Sequence, residues 1–301
     1  MKLQLIILKA IEDKGCKLIG VERMLWDVVE RRLVHLRRRS LRRRSLRRSG
    51  VPPPQHTCFA AHSPSPIICR SNHFRHGARI VTIDYFSLGH PLVGLRSHYA
   101  IKARRKMFDL FMSTMRVTPD SKILDLGVTP DRILTESNFF EHAYPHKTKL
   151  TAASIEDACW LEQAFPGIKF VQIQPGRLPF ADNQFDIVYS SAVIEHVGDR
   201  QAQEFFISEL LRVSRRFFVA TPNRQYPLEF HTFLPLIHWL PQAAHQSILR
   251  VLGLKFWART ENLNLLSPTS FVRLFPRCRS LHLYKHRLLG LPSNLVVYGE
   301  K

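Results

Sequence analysis

A turn suited to holding a ligand and two histidines suited to moving a proton are the residues of this sequence most open to chemistry. The turn lies at residues 122–131, KILDLGVTPD. A short apolar run carrying one acid, Asp125, ends at Gly127, where the backbone can bend sharply and come close to a ligand. Pro130 cannot donate a backbone hydrogen bond and suits the loop or first turn of a following helix. Strand, glycine turn and helix start make the first βα unit of a doubly wound α/β domain, in which ligands sit beyond the carboxyl ends of the strands. His196 and His231 titrate near neutrality and are candidates for a general base acting on a hydroxyl or amine. Each also has a plain structural reading, as a histidine that packs or hydrogen-bonds locally.

Two later stretches join the turn: GRLPFADNQFDIVYSSAVIEHV at residues 176–197 and RRFFVATPN at residues 215–223. Taken with Asp125-Leu-Gly127, the words Leu178-Pro-Phe180, Phe185-Asp-Ile-Val188, Glu195-His196 and Thr221-Pro-Asn223 resemble the class I S-adenosylmethionine (SAM) dependent methyltransferases, in particular the type 11 methyltransferase-domain group. The resemblance spans residues 82–301. It implies SAM as cofactor and a cofactor site built from Asp125, Gly127, Thr129, Ser154, Glu156, Gln174, Leu178 and Ser190, with His196 and His231 on the acceptor side. Three motifs depart from the group's pattern, at four positions. Thr129 and Asp131 stand where further glycines are usual, Ser154 stands at the place of the acid ending strand two, and Gln174 stands for the Asp after strand three. Glu156 and Gln174 are possible substitutes, Gln174 because its side-chain carbonyl accepts from an amine. Some quinone-precursor methyltransferases hold a divalent metal with Glu-x-x-Glu-His. Here Ala192 takes the first Glu position, so no metal is expected.

These residues need a frame to position them. Strands are expected at 122–126, 149–154, 169–173, 185–190 and 216–221, alternating with helices at 98–115, 132–144, 156–165 and, capped by Asp199, up to Val213. In the first helix Arg104 intrudes on the apolar face, its stem packing and its head reaching water. Ser267 and Pro268 open a last helix through Phe275. Residues 282–287 and 294–299 read as a closing hairpin. The fold class expected is α/β: a doubly wound, seven-stranded, mostly parallel sheet with a C-terminal antiparallel hairpin. A proline-punctuated aromatic insert at about 224–267 interrupts the alternation, and a cap over substrate is preferred for it to a membrane contact.

The chain has 301 residues and a net charge of +20, unevenly placed. Residues 1–80 hold 18 Lys/Arg against 5 Asp/Glu, and residues 81–301 hold 26 against 19. Ten of the arginines fall between Arg31 and Arg48, where leucines recur every fifth residue and form no single helical stripe. This stretch is read as a disordered basic extension, with nucleic acid or an anionic membrane surface as its possible partner. The His and Cys residues at 56–76 lack the paired spacing of a zinc site. Five scattered cysteines argue for a reducing compartment. No apolar window is long enough to span a bilayer, so a cytoplasmic protein, peripheral to a membrane at most, is expected.

The reading is therefore a SAM-dependent methyltransferase acting on a small-molecule or lipid- or sugar-linked acceptor. The alternatives are a methyltransferase-like binding protein impaired in catalysis, and an RNA or DNA methyltransferase using the arginine run. A nicotinamide dehydrogenase is disfavoured because no G-x-G-x-x-G follows the first strand. On sequence grounds Gly127→Arg is expected to abolish cofactor binding and leave the fold largely intact.

Overall fold

The computed structural model describes residues 93–134, 136–276 and 278–301. The basic extension with its arginine run, the His/Cys cluster at 56–76 and the expected domain start at residue 82 lie outside the described residues. The chain begins with α1 (Val93–Thr114) and enters a seven-stranded sheet: β1 (Ile123–Leu126), β2 (Leu150–Ser154), β3 (Lys169–Gln172), β4 (Phe185–Ser191), β5 (Ser214–Pro222), β6 (Ser280–Leu288) and β7 (Leu291–Glu300). The strand order is β3-β2-β1-β4-β5-β7-β6. Strands β1 to β5 pair in parallel, and β7 runs antiparallel between β5 and β6. The expected sheet and its closing hairpin are both present. Leu289 and Gly290 link β6 to β7 with φ of 52° and 80°, the paired positive angles of the hairpin turn whose twist matches its strands.

The strand sequences explain why both faces are covered. Along β1, Ile123 packs toward one side and Leu124 and Leu126 toward the other; along β5, Phe217 and Val219 alternate with Phe218 and Ala220. One core joins α1 to the sheet through Met107 and Phe111 on the helix, Met115 just past its end, and Ile187, Tyr189 and Phe218 below. Phe111 meets Phe140, Tyr189 and Phe218 edge-on at 5.1, 5.5 and 5.4 Å. The opposite core sets Ile207, Leu210 and Leu211 of α4 (Arg200–Val213) and Phe271 of α6 (Pro268–Val272) against Leu124, Val188 and Phe217. Both helix starts follow expectation: Asp199 accepts from Ala202 N, and Ser267 forms a reciprocal capping box with Ser270.

Three helices are shorter than their sequences suggest; α6 ends at Val272 rather than Phe275, and two others shrink further. Only Phe139–Ala143 (α2) of the expected 132–144 is helical, and only Leu161–Ala164 (α3) of 156–165. After β1 the side chains of Thr129, Asp131 and Asn138 hold the backbone in a loop. Asp131 accepts from Ile133 N, Leu134 N and Ser137 Oγ, while Asn138 and Thr129 exchange two 2.9 Å bonds. Such local side-chain bonds offer the backbone partners that a helix would otherwise supply. After β2, Ser154 Oγ and Asp157 Oδ1 accept from Glu156 N and Cys159 N in the same manner.

Between β5 and α6 the chain leaves the alternating pattern. It makes a bridge between Leu228 and Pro235, a 3-10 turn (Ile237–Trp239) and α5 (Gln242–Val251), then returns at the Asn223–Leu266 bridge. Among the described residues no helix is long and apolar enough to cross a membrane.

Candidate active site

The parallel strands deliver their carboxyl ends to one edge in the order β2, β1, β4, β5. The cofactor candidates fall on the β1 and β2 side of that edge. Gly127 follows β1 with φ +106° and donates to Ala153 O at 2.8 Å. A Cβ built there would lie 2.1 Å from Val193 Cγ2, so the turn is backed closely by the segment after β4. Asp125, just before it, is buried, and its carboxyl is pushed well above the usual range by burial and then by the neighbouring Glu141. Glu141 is raised in turn by its own burial. The Arg104 charge acts in the opposite sense on Asp125, Glu141 and Glu195. The Arg104 head, expected to reach out to water, therefore exerts its field on the buried acids at the strand ends.

Ser154 ends β2 in a buried position and fixes Glu156 N through its hydroxyl at 3.3 Å. Glu156 is half-buried and its carboxyl is raised by burial. Ile155 between them is 52% exposed, an apolar surface beside two polar groups. Asp125, Gly127, Ser154 and Glu156 thus occupy the ends of two adjacent strands. Thr129 belongs to the same edge, but both its backbone groups are engaged by Asn138.

Gln174 lies exposed beyond β3. Leu178 is buried and anchored from behind: Glu209 accepts from its N–H at 2.8 Å and Arg212 donates to its carbonyl at 3.0 Å. Arg212 also donates to Phe180 O and Asp182, so the LPF stretch is tied to α4 by one guanidinium. Ser190 donates to Leu126 O at 2.8 Å, locking β4 to the end of β1.

The other side of the edge holds the histidines. His196 sits in a 3-10 turn (Ile194–His196) after β4, and His231 lies in the segment after β5. Their rings meet perpendicularly with centroids 4.8 Å apart, and the Trp257 ring stands 6.1 and 5.0 Å from them. His196 Nδ1 is 2.7 Å from Asn262 O. A carbonyl only accepts, so Nδ1 carries the proton. His231 Nδ1 is 2.6 Å from Glu229 Oε1 and donates to it likewise. Burial, reinforced by the His231 charge, pushes His196 down to about 3, so it is neutral at pH 7.

Glu229, two residues before His231 in the chain, organises this half. Its carboxylate accepts from His231 N, His231 Nδ1, Thr232 N and Thr232 Oγ1 at 2.6–2.8 Å. Burial raises its pKa, but the His231 charge and these bonds outweigh burial and hold it at about 2. Glu195 is wholly buried and accepts from Thr221 Oγ1 at 2.9 Å. Its other oxygen, Oε1, stands 3.9 Å from His196 Nε2 and makes no hydrogen bond. The 262–264 loop is laced to this turn: Asn264 N donates to Glu195 O, and Gln203 Nε2 donates to both Ile194 O and Asn264 O. Glu229 and Thr221 gave no sequence signal beyond proximity to His231 and Asn223; Trp257 and Asn262 gave none.

Residues 141–216 match the family model described as "Methyltransferase domain", over the segment that runs through β2 to β5. Over this segment the chain is similar to that family, and its sheet has the strand order of a Rossmann-like methyltransferase fold. No protein of curated function matches it in sequence. Solved structures similar to this chain include a SAM-dependent methyltransferase from Methanosarcina mazei, at 16% identity over 60% of this chain and 92% of that one, TM-score 0.40. The N-methyltransferase NodS from Bradyrhizobium japonicum, in complex with S-adenosyl-L-homocysteine, shows 13% identity over 65% and 85%, TM-score 0.40. The 1,6-didemethyltoxoflavin-N1-methyltransferase from Burkholderia thailandensis shows 14% over 69% and 87%, TM-score 0.44.

The histidines of this protein predict how it responds to acid. Burial, then the His238 charge, lowers His245 from 6.5 to about 4, so between those values the unfolded chain binds a proton that the folded chain excludes. Its stabilising contribution is complete above pH 6.5 and is lost as pH falls toward 4. Glu229, depressed to about 2, continues the loss below 4.5. Asp125, Glu141 and Glu195, raised by burial, oppose both by favouring the acid side. Thermal denaturation of His245→Leu should show a smaller drop in Tm from pH 7.5 to pH 5 than the parent protein. Equal drops would remove His245 from the account.

Proposed function

We propose that this protein transfers the methyl group of SAM to an O–H or N–H of a small-molecule or lipid- or sugar-linked acceptor. The donor lies against the β1 and β2 ends, and the acceptor lies beside His196 and His231 under the 224–267 segment. The observation that carries this reading is the convergence of two sequence-distant imidazoles, each with its Nδ1–H held by an acceptor, at the strand edge that also presents Gly127. In the neutral form of each ring Nε2 is then the basic nitrogen, and Glu229 holds the His231 ring in the orientation a base requires.

In the transfer the acceptor oxygen or nitrogen attacks the methyl carbon. Bound SAM would supply the methyl group, its sulfur keeping the carbon–sulfur electron pair as S-adenosylhomocysteine leaves, and His231 would take the acceptor's proton. Most of the rate comes from alignment and exclusion of water, for which the aromatic segment with Trp257 is suited. Exposed Ile155 offers an apolar face for the adenine, and Ser154 with Glu156 offers acceptors for the ribose hydroxyls.

A second reading, a fold of this kind that binds without catalysing, draws on the loop after β1. There Thr129 is bonded to Asn138, and Val193 fills the space behind Gly127. Isothermal titration calorimetry of the full chain with SAM separates the two. Saturable binding supports the enzyme; no heat at about 1 mM donor, a bound of about −4 kcal/mol, removes it.

A further inference from the structure

The acceptor-side cluster has a feature that proton transfer alone does not use. One ligand atom each from Glu195, His196 and His231 lies within 4.8 Å of the others. The Glu195 side chain is fully buried, and an ionised oxygen with no donor in such a place is unfavourable unless a cation or a proton compensates it. Both imidazoles are presented in one tautomer, because Nδ1 donates to Asn262 O in His196 and to Glu229 Oε1 in His231. Holding the far nitrogen with a carbonyl or carboxylate is how proteins orient histidine ligands and raise their basicity. Glu195 is braced in the same sense by Thr221 Oγ1. The three side chains come from the β4 turn and the post-β5 segment, which the 262–264 loop and Gln203 tie in place.

We propose that Glu195 Oε1, His196 Nε2 and His231 Nε2 bind one divalent transition-metal cation. Two imidazoles and one carboxylate suit zinc, manganese or iron(II) rather than magnesium or calcium, which favour all-oxygen shells. A cation held at about 2.1 Å sets neighbouring ligand atoms roughly 3.4 Å apart. The 3.9 Å between Glu195 Oε1 and His196 Nε2 closes with an adjustment of about half an ångström, and the 4.8 Å span of the cluster with about 1.4 Å. Three protein ligands leave coordination positions for the acceptor. The class of acceptor that fits is one with two neighbouring oxygens, such as a vicinal diol, a catechol or an α-hydroxycarbonyl group, whose hydroxyl the cation acidifies. This acceptor class rests on the methyltransferase reading; binding of the cation does not.

The test uses the full chain, dialysed against a chelator and titrated with Mn²⁺, Zn²⁺ and Co²⁺ by calorimetry, with the visible spectrum of the Co²⁺ form recorded. One equivalent per chain is expected, with affinity at least about tenfold weaker in Glu195→Gln and in His231→Gln and with the cobalt bands lost in both. His231→Gln is the check should Glu195→Gln fail to fold, as judged by circular dichroism. The proposal is overturned by no stoichiometric binding, or by binding that both substitutions leave unchanged, which would place the metal on other histidines of the chain. SAM is titrated into the same samples. SAM binding without cation binding sinks the metal site alone, and cation binding without SAM binding sinks the transferase reading alone.

Discussion

Gly127→Ala should by itself destabilise the protein by roughly 2–6 kcal/mol, and Gly127→Arg should abolish SAM binding as well. Two independent effects add. With φ at +106°, any other residue is held in a sparsely populated backbone region, at about 1–3 kcal/mol. A Cβ there would also stand 2.1 Å from Val193 Cγ2 and 3.2 Å from Val193 Cβ, a clash of the kind that costs roughly 1–3 kcal/mol. Val193 is β-branched and poorly able to rotate away, and Ala192 before it already holds a φ of 59°. The sequence-based expectation that only cofactor binding would suffer is corrected by this contact. Val193→Ala should recover the steric part of the Gly127→Ala loss and none of the backbone part, so a double-mutant cycle in urea should show positive coupling. Wild-type stability and SAM affinity in Gly127→Ala would mean that the turn is neither tight nor the donor site.

The sheet was legible because its strands carry their own evidence. Buried runs such as Ile123–Leu126 and Phe185–Ser191, punctuated by turn residues, leave little choice of element, and their succession leaves little choice of topology. The helices after β1 and β2 were overestimated for a reason the residues themselves contain. Thr129, Asp131 and Asn138 were weighed as missing glycines or as helix residues, yet what they do is bond to their own backbone. Arg104 was read as packing its stem with its head toward water; the buried acids on which its charge acts come from β1, α2 and the β4 turn, separate in sequence. The site was half visible for the same reason. His196 follows a strand whose end is a functional place by topology, whereas its meeting with His231, and the role of Glu229 behind them, depends on how the chain folds back after β5. No periodicity encodes that return.

Glu229→Ala is expected to loosen the acceptor half while leaving the donor half as it was. Four donors converge on this carboxylate, two of them backbone N–H groups and one the His231 ring. Removing a buried partner strands each donor at about 1–3 kcal/mol; since the four share one oxygen pair, a total of roughly 3–5 kcal/mol is the reasonable expectation, the range for breaking a buried charged pair. Glu229→Gln keeps the shape and can still accept from the backbone N–H groups, so it should fall between. The chemical consequence exceeds the structural one. Without Glu229 the His231 proton is free to choose either nitrogen and the ring to turn, and a misplaced base forfeits much of the roughly 10²–10⁴-fold that proton transfer contributes. Nitrogen-15 chemical shifts of the His231 ring report the tautomer directly, which a merely structural role for Glu229 would not move. SAM affinity should stay unchanged in both variants, because Gly127, Ser154 and Glu156 lie at the ends of other strands. Loss of SAM binding in Glu229→Ala would instead show that donor and acceptor halves order each other. A native Tm with an unchanged His231 tautomer would show that the carboxylate does not hold the ring at all.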